Sequence, residues 1–280
     1  MKNTSHTHEL FFHTKSWSYL WEKTWPQKFK VIQNEGLFGC REFKLFKFFY
    51  VDHWALSGCY GQLALSDKKV RFIQRHDNIL TILNDSCANE SAQLFTQMIK
   101  DDFSPSSAHL RAVKKAQKLN LNVKRMPFDS ELIIEYYTLY QSNLERWNEE
   151  KRIVKRIYPL EFFKNMVEIP KDLVDFWGVY QDEKLIAGSI WFKSEALMHY
   201  WHGVSDSRYL DLRANDFMFS EAIQYYRSLN LIVDLMPSSG NQGVVDFKMK
   251  LGARKYAIHQ VITKGFLRKG VELCRKIIKR

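Results

Sequence analysis

The sequence predicts a mixed α/β (α+β) fold: one sheet of parallel and antiparallel strands with helices packed against it. Three observations carry this. Leu197–Val204, Arg213–Leu229, Leu231–Met236 and Val244–Leu251 alternate strand, helix, strand, helix, and a right-handed crossover sets such strands parallel and side by side. Leu173–Tyr180 and Leu185–Lys193 flank the turn Gln181-Asp182-Glu183-Lys184, as a hairpin would. From Leu121 onward the order reads β-α-α-β-β-β-α-β-α, with a last strand pair near Lys255–Thr263.

The central unit rests on changes of period. Leu197–Val204 is aromatic-rich and bounded by Gly203. Phe217, Met218, Ala222, Tyr225, Tyr226 and Leu229 recur at helical spacing, and Asn230 closes that helix. Leu231–Met236 is apolar except for Asp234, as a buried parallel strand would be. Pro237–Asn241 is a loop by composition, and Gly252 stops the helix after it. Upstream, Trp17, Leu20 and Trp21 share one face of a helix over Thr14–Lys23. Lys28–Gln33 and Leu45–Val51 read as strands, and Trp54–Leu65 continues the sheet. Ala92, Leu94, Phe95, Met98 and Ile99 fall near helical spacing and predict a helix over Ser91–Ile99. Ser107–Leu119 is a helix with Arg111, Lys114, Lys115 and Lys118 as a basic stripe, and Leu121–Arg125 alternates like a strand. Asp129 or Ser130 starts a helix to about Trp147, Asn148–Arg156 is a charged connector, and Pro159 opens a helix ending near Val167. Gly265–Arg280 reads as a basic helix.

Composition narrows the function classes. The 280 residues carry a formal net charge of +11, which attracts nucleic acid, anionic lipid or phosphate-bearing substrates without choosing among them. Mean hydropathy is below zero. No run approaches the roughly 20 apolar residues of a spanning helix. Met1–His13 lacks a long apolar centre, so no signal peptide is expected. Cys40, Cys59, Cys87 and Cys274 form no CxxC pair, which fits thiols in a reducing cytoplasm and no metal site.

A family resemblance enters at Asn215, Glu221, Ala222, Tyr226, Asp234, Pro237, Ser239, Gly240, Asn241, Gly243, Phe247, Lys248, Gly252 and Ala253. In their spacing they resemble the second half of the GNAT acyltransferase fold, in its Fem-type branch, which is similar to the transferases that build peptidoglycan cross-bridges. The resemblance reaches upstream in weaker form to about Thr81. It implies a tandem: a degenerate GNAT-like half over residues 1–118, a complete GNAT-like domain over 119–265, and a basic C-terminal helix over 266–280. It also implies an acyl donor whose carbonyl meets backbone N–H groups near Trp201–Gly203, where two parallel strands splay.

The candidate site residues lie at or beyond strand ends. His202 is the expected base for an attacking amine, with His199 three residues away; on a regular strand the two face opposite sides unless a bulge intervenes. Asp234 would act as a base, orient one, or hold a loop backbone. Tyr256 would protonate the leaving group or simply pack in the core. Trp201, Ser238 and Ser239 are expected to bind substrate, and Asn241 and Lys248 to position donor or acceptor phosphate and amide groups. The usual R/Q-x-x-G-x-G/A phosphate loop corresponds to Arg208–Ala214, where Asp211 and Arg213 replace small residues. Arg208, Arg213 and Asn215 would still attract an anion to the helix start.

Three readings follow. The first is an N-acyltransferase using acyl-CoA, with no permanently bound cofactor, on an amine of a cell-envelope glycan or glycolipid precursor. The second is a Fem-type aminoacyl transferase using charged tRNA. The third is a non-catalytic basic module. Localisation is expected in the cytoplasm, with peripheral association at an anionic inner membrane face as a further option.

Overall fold

The computed structural model describes residues 11–26, 30–32, 38–45, 48–55, 72–76, 94–100, 103–149, 157–238, 241–258 and 260–264. Contacts divide the chain into two units, residues 1–11 with 95–256, and residues 12–94 with 257–280. In the second unit, Thr14 caps helix α1 (Lys15–Thr24), which buries Trp17, Leu20 and Trp21 as the spacing predicts. Strands β1 (Lys30–Ile32), β2 (Phe38–Leu45) and β3 (Phe48–Ala55) form an antiparallel sheet in that order. Strand β4 (Phe72–His76) pairs antiparallel with β12 (Gln260–Lys264). The expected helix over 266–280 lies outside the described residues.

The first unit holds the sheet that organises the protein. Its strands are β5 (Leu94–Ile99), β6 (Asn122–Met126), β7 (Val174–Gln181), β8 (Lys184–Lys193), β9 (Leu197–Ser205), β10 (Ile232–Asp234) and β11 (Arg254–Ile258), in the spatial order β11-β5-β10-β9-β8-β7-β6. As the sequence predicts, β9 and β10 are parallel neighbours, with Leu197 opposite Ile232 and His199 opposite Asp234. The connecting helix α5 (Ala214–Ser228) packs across β6 to β10. Asn230 takes a left-handed conformation (φ 58°) just past its end, the conformation a closing Asn tolerates.

Helices cover both faces. Helix α2 (Ser107–Gln117) packs on α5, while α3 (Ser130–Glu149) packs on β8 and β9 and α4 (Leu160–Asn165) on α3. Consecutive residues on a strand point to opposite faces. On β7, Phe176 meets Tyr136 of α3, whereas Trp177 meets Tyr226 of α5. So α3 and α5 lie on opposite faces of the sheet. The α5 face buries Trp191, Met198, Phe219, Ile223 and Val233 in one apolar cluster.

Two expectations change. Ser91–Ile99 is not a helix; residues 94–99 form β5, antiparallel to β10. Its residues Thr96 to Ile99 are all buried, so both faces of the strand are covered and the alternation that marks a strand is lost. The division foreseen at 118/119 also falls inside the first unit, because β5 and α2 belong to the seven-stranded sheet and its helix layer.

Candidate active site

The site begins where β9 and β10 part. Strand β10 ends at Asp234, opposite His199, but β9 runs on to Ser205. Past Asp234 the chain stays with β5 instead: Leu235 N–H donates to Gln97 O (2.8 Å) and Ser238 Oγ donates to Gln97 Oε1 (2.7 Å). The exit passes through Met236, a left-handed residue at φ 61°, a backbone region costly for a side-chain-bearing residue. Its N–H donates to Asp234 Oδ1 (3.0 Å), and its carbonyl accepts from Lys248 Nζ (2.6 Å). One edge of β9 from Tyr200 to Ser205 is thereby left without a strand partner among the described residues.

Beside that edge lies a cleft of about 270 Å³. Its walls are the end of β9 (Tyr200, Gly203, Ser205), α3 (Asn143, Arg146, Trp147), α5 (Asn215, Phe219) and helix α6, Gln242–Lys250 (Val244, Phe247, Lys248). Asn143 Nδ2 donates to Ser205 O (3.0 Å), tying α3 to the strand end, and Arg146 Nη2 donates to Asn143 Oδ1 (3.0 Å). A second cleft of about 260 Å³ shares Ser205, Asn215 and Phe247 with the first and reaches the start of α5. There Arg213 is left-handed (φ 61°) and α5 has no side-chain cap, so its first N–H groups and dipole end favour an anion.

The other face of β9 carries His202. Trp191 pairs with Tyr200 and Ile190 with His202, so Trp201 is an extra residue, a bulge. The bulge turns His202 to the same face as Trp201. Both rings touch Phe163 and Tyr158, and His202 also meets Tyr136 and Tyr140. Burial pushes His202 down to about 4. Its Nδ1 lies 2.6 Å from Tyr136 Oη, and burial raises Tyr136 well above the usual phenol range. Tyr136 therefore keeps its proton and donates it to Nδ1, which leaves Nε2–H on His202 as a donor. A base works best with a pKa near the operating pH. His202 is not among the lining residues of either cleft and stands on the opposite face of β9, held by Tyr136 among aromatic rings, with Nε2–H as a donor.

Asp234 is fully buried and accepts from Thr96 Oγ1 (2.6 Å) as well as from Met236; its Oδ2 meets His199 Nδ1 at 2.8 Å. His199 Nε2 in turn meets Ser194 Oγ at 2.8 Å, and Ser194 Oγ accepts from Phe11 N–H. Asp234 thus orients a histidine and holds a loop backbone, out of reach of the cleft. Tyr256 sits on β11, separated from β9 by β5 and β10, under Lys100 Nζ at 4.3 Å. The fold does not bring it to the mouth. Arg208 is exposed and donates twice to Asp206 (2.9 and 2.6 Å), which holds that carboxyl down at about 2. Asn215 lines both clefts and Lys248 the inner one. Asn241 caps α6 by accepting from Val244 N–H (3.2 Å). Ser238 is buried on Gln97, Trp201 packs among the aromatic rings, and Ser239 lies outside the described residues.

The residues the sequence did not single out are Tyr136, Asn143, Arg146 and Trp147 of α3. Asn143 lies on the buried stripe of that helix, in step with Leu132, Tyr136, Leu139 and Tyr140. A polar residue on an apolar stripe was the available signal. Among the described residues, no group of three or more His, Cys, Asp or Glu is placed to hold a metal, and no helix is long and apolar enough to cross a membrane.

Comparison with known proteins agrees with this architecture. Solved structures with a similar fold include FemX, at 12% identity and a TM-score of 0.63 over 96% of this chain and 95% of that one. L-PGS from Bacillus licheniformis matches at 10% identity and 0.55 over 90% and 89%. The C-terminal domain of a putative lysylphosphatidylglycerol synthetase from Agrobacterium fabrum matches at 10% and 0.50 over 75% and 73%. No curated protein matches the sequence. The family model for the acetyltransferase (GNAT) domain matches residues 107–249, just over half of the chain. With β9 and β10 splayed beside a cleft and the matched segment containing both, the chain belongs to the GNAT acetyltransferase domain family and is an acyltransferase.

Proposed function

We propose that this protein transfers an acyl group from acyl-CoA to an amine on a cell-envelope glycan or glycolipid precursor. One observation carries the reading: β10 leaves the sheet at Asp234 while β9 continues to Ser205, so an open backbone edge faces a cleft. In that cleft the donor lies between α5 and α6, with Asn215 and Lys248 beside it. The donor reaches toward the start of α5, where Arg213 and Asn215 stand and where exposed Arg208 flanks the loop. The thioester carbonyl accepts from backbone N–H groups of β9 near Trp201–Gly203. The amine arrives from the Trp201 and His202 face and attacks the carbonyl carbon. The C–N bond forms, the C–S bond breaks, and the amine proton ends on the departing thiolate or on solvent. Backbone N–H groups fixed before the reaction stabilise the oxyanion without reorganising. His202 Nε2–H orients an oxygen of the acceptor. Asn241 caps the α6 helix that walls the donor cleft, and Asp234, Ser238 and Tyr256 support the scaffold. On this reading the enzyme works in the cytoplasm at the inner membrane face, and the unit of residues 12–94 and 257–280 is a diverged counterpart of the first.

The test is a donor screen across acyl-CoA thioesters with amino-sugar and amine-bearing lipid acceptors, read as free thiol and as acylated product. Thiol release that depends on both partners is the expected result. Absence of CoA binding and of thiol release across the panel overturns the reading.

A second reading, aminoacyl transfer from charged tRNA, is favoured by a separate observation. The similarity to FemX and L-PGS spans about nine-tenths or more of the chain, and lysylphosphatidylglycerol synthetase is named for an aminoacyl product. Arg111, Lys114, Lys115 and Lys118 stand exposed along α2, opposite its buried residues His109, Val113 and Ala116. Their replacement by Ala should weaken tRNA binding and flatten its salt dependence. Unchanged binding and turnover would leave the stripe a solvated surface.

A further inference from the structure

The two adjoining clefts differ in charge. The inner one, beside the open edge of β9, has Arg146 from α3 on one wall and Lys248 from α6 on another, with no carboxylate among its described lining residues. The outer one, at the start of α5, has a single cation, Arg213, and two carboxylates, Asp206 and Asp216. Asp206 is bound to Arg208 and lies 3.5 Å from Lys184 Nζ, and Asp216 is 2.9 Å from buried His109 Nδ1. The place where such folds usually cradle phosphate is therefore close to neutral, and the positive potential sits deeper.

The inner cations are held in place. Lys248 is 3% exposed and its ammonium is aimed at Met236 O from within. Arg146 is braced by Asn143, which is itself pinned to the end of β9. Cations held on different walls of one small space recognise an oxyanion at little ordering cost.

We propose that the inner cleft binds an oxyanion of the substrate between Arg146 and Lys248. Its source is a carboxylate on the transferred chain or a phosphate of the donor. Which molecule carries it rests on the acyl-transfer reading; the binding itself does not. This assigns Arg146 as a specificity-determining residue and makes the donor anionic at the reacting end of the cleft.

Calorimetric titration of the full-length protein with succinate, pyrophosphate, CoA, acetyl-CoA and succinyl-CoA tests it. Arg146→Gln should weaken oxyanion binding about 10- to 100-fold, the loss expected for one charge-assisted contact, and Arg146→Lys should restore part of it. If the carboxylate is the source, Arg146→Gln lowers affinity for succinyl-CoA and spares acetyl-CoA. If phosphate is the source, both thioesters and CoA weaken alike and a phosphate-free pantetheine thioester does not. Arg146→Gln that melts like the parent and binds every ligand with parental affinity overturns the proposal, as does a parent protein that binds none of them. Because Lys248 also supports Met236, Lys248→Met is read only beside circular dichroism and a melt. Oxyanion binding without acyl transfer would sink the catalytic reading and leave this one standing.

Discussion

Replacing His202 by Gln should make the protein less sensitive to acid. Burial among Tyr136, Tyr140, Phe163 and Trp201 pushes His202 from the ordinary 6.5 down to about 4. A depressed histidine favours the fold when neutral. Its contribution is complete above pH 6.5 and is lost as pH falls from there through about 4, because the unfolded chain takes up the proton first. One pKa unit corresponds to about 1.4 kcal/mol, so the full shift is worth about 3 kcal/mol. The ring is partly solvent-accessible, and we expect about 2 kcal/mol to appear by pH 4.5. Urea unfolding of the parent and of His202→Gln, followed at half-unit steps from pH 7.5 to 4.5, isolates this contribution because all other groups are common to both. Gln keeps an acceptor for Tyr136. The stability difference should be flat above pH 7 and should change steadily below 6.5 in favour of the variant. Parallel curves down to pH 4.5 would refute the reasoning, as would a His202 titration near 6.5 by NMR. The same shift predicts no inflection from His202 in kcat/KM between pH 6 and 8.

Other consequences are direct. A Cβ at Gly203 would run into the Tyr200 hydroxyl, so Gly203→Ala should push that ring into the cleft and raise donor KM several-fold while the melting temperature holds. Tyr226 Oη accepts from Trp177 Nε1 and donates to Asp175; Tyr226→Phe should cost about 1–3 kcal/mol in urea unfolding, the range for buried groups left unsatisfied, with KM unchanged. Met236→Gly removes the need for a side chain at φ 61° and should stabilise by a few tenths to about 1 kcal/mol if the clamp by Asp234 and Lys248 survives. Arg208→Ala should let the Asp206 carboxyl rise from about 2 toward its ordinary range, which an NMR titration of Asp206 would show.

Much of the central unit was legible because its signals are long and periodic. The α5 stripe and the apolar run over Leu231–Met236 place two parallel strands and their crossover without further information. Helical spacing failed at residues 91–99 because a strand buried on both faces loses its alternation, and Ala92, Leu94, Phe95, Met98 and Ile99 then fit either period. The face of His202 was not legible at all. It depends on a bulge at Trp201, a property of the register between β8 and β9 that neither strand's sequence displays. The splay has the same character. It follows from Gln97 holding Leu235 and Ser238 on β5, contacts 138 and 141 residues apart in the chain. For Asp234 the sequence offers a base, a residue that orients one, or a hold on a loop backbone; its partners Thr96 and His199 are set by tertiary contacts that no local pattern displays.

The central claim is that the open edge of β9 is where acyl transfer takes place. A crystal structure with a non-hydrolysable thioether analogue of an acyl-CoA tests it most directly. The account predicts the analogue between α5 and α6, with its carbonyl oxygen within about 3 Å of a backbone N–H between Tyr200 and Gly203, beyond the end of β10. An analogue bound at saturating concentration elsewhere, with that edge left to solvent, would contradict it.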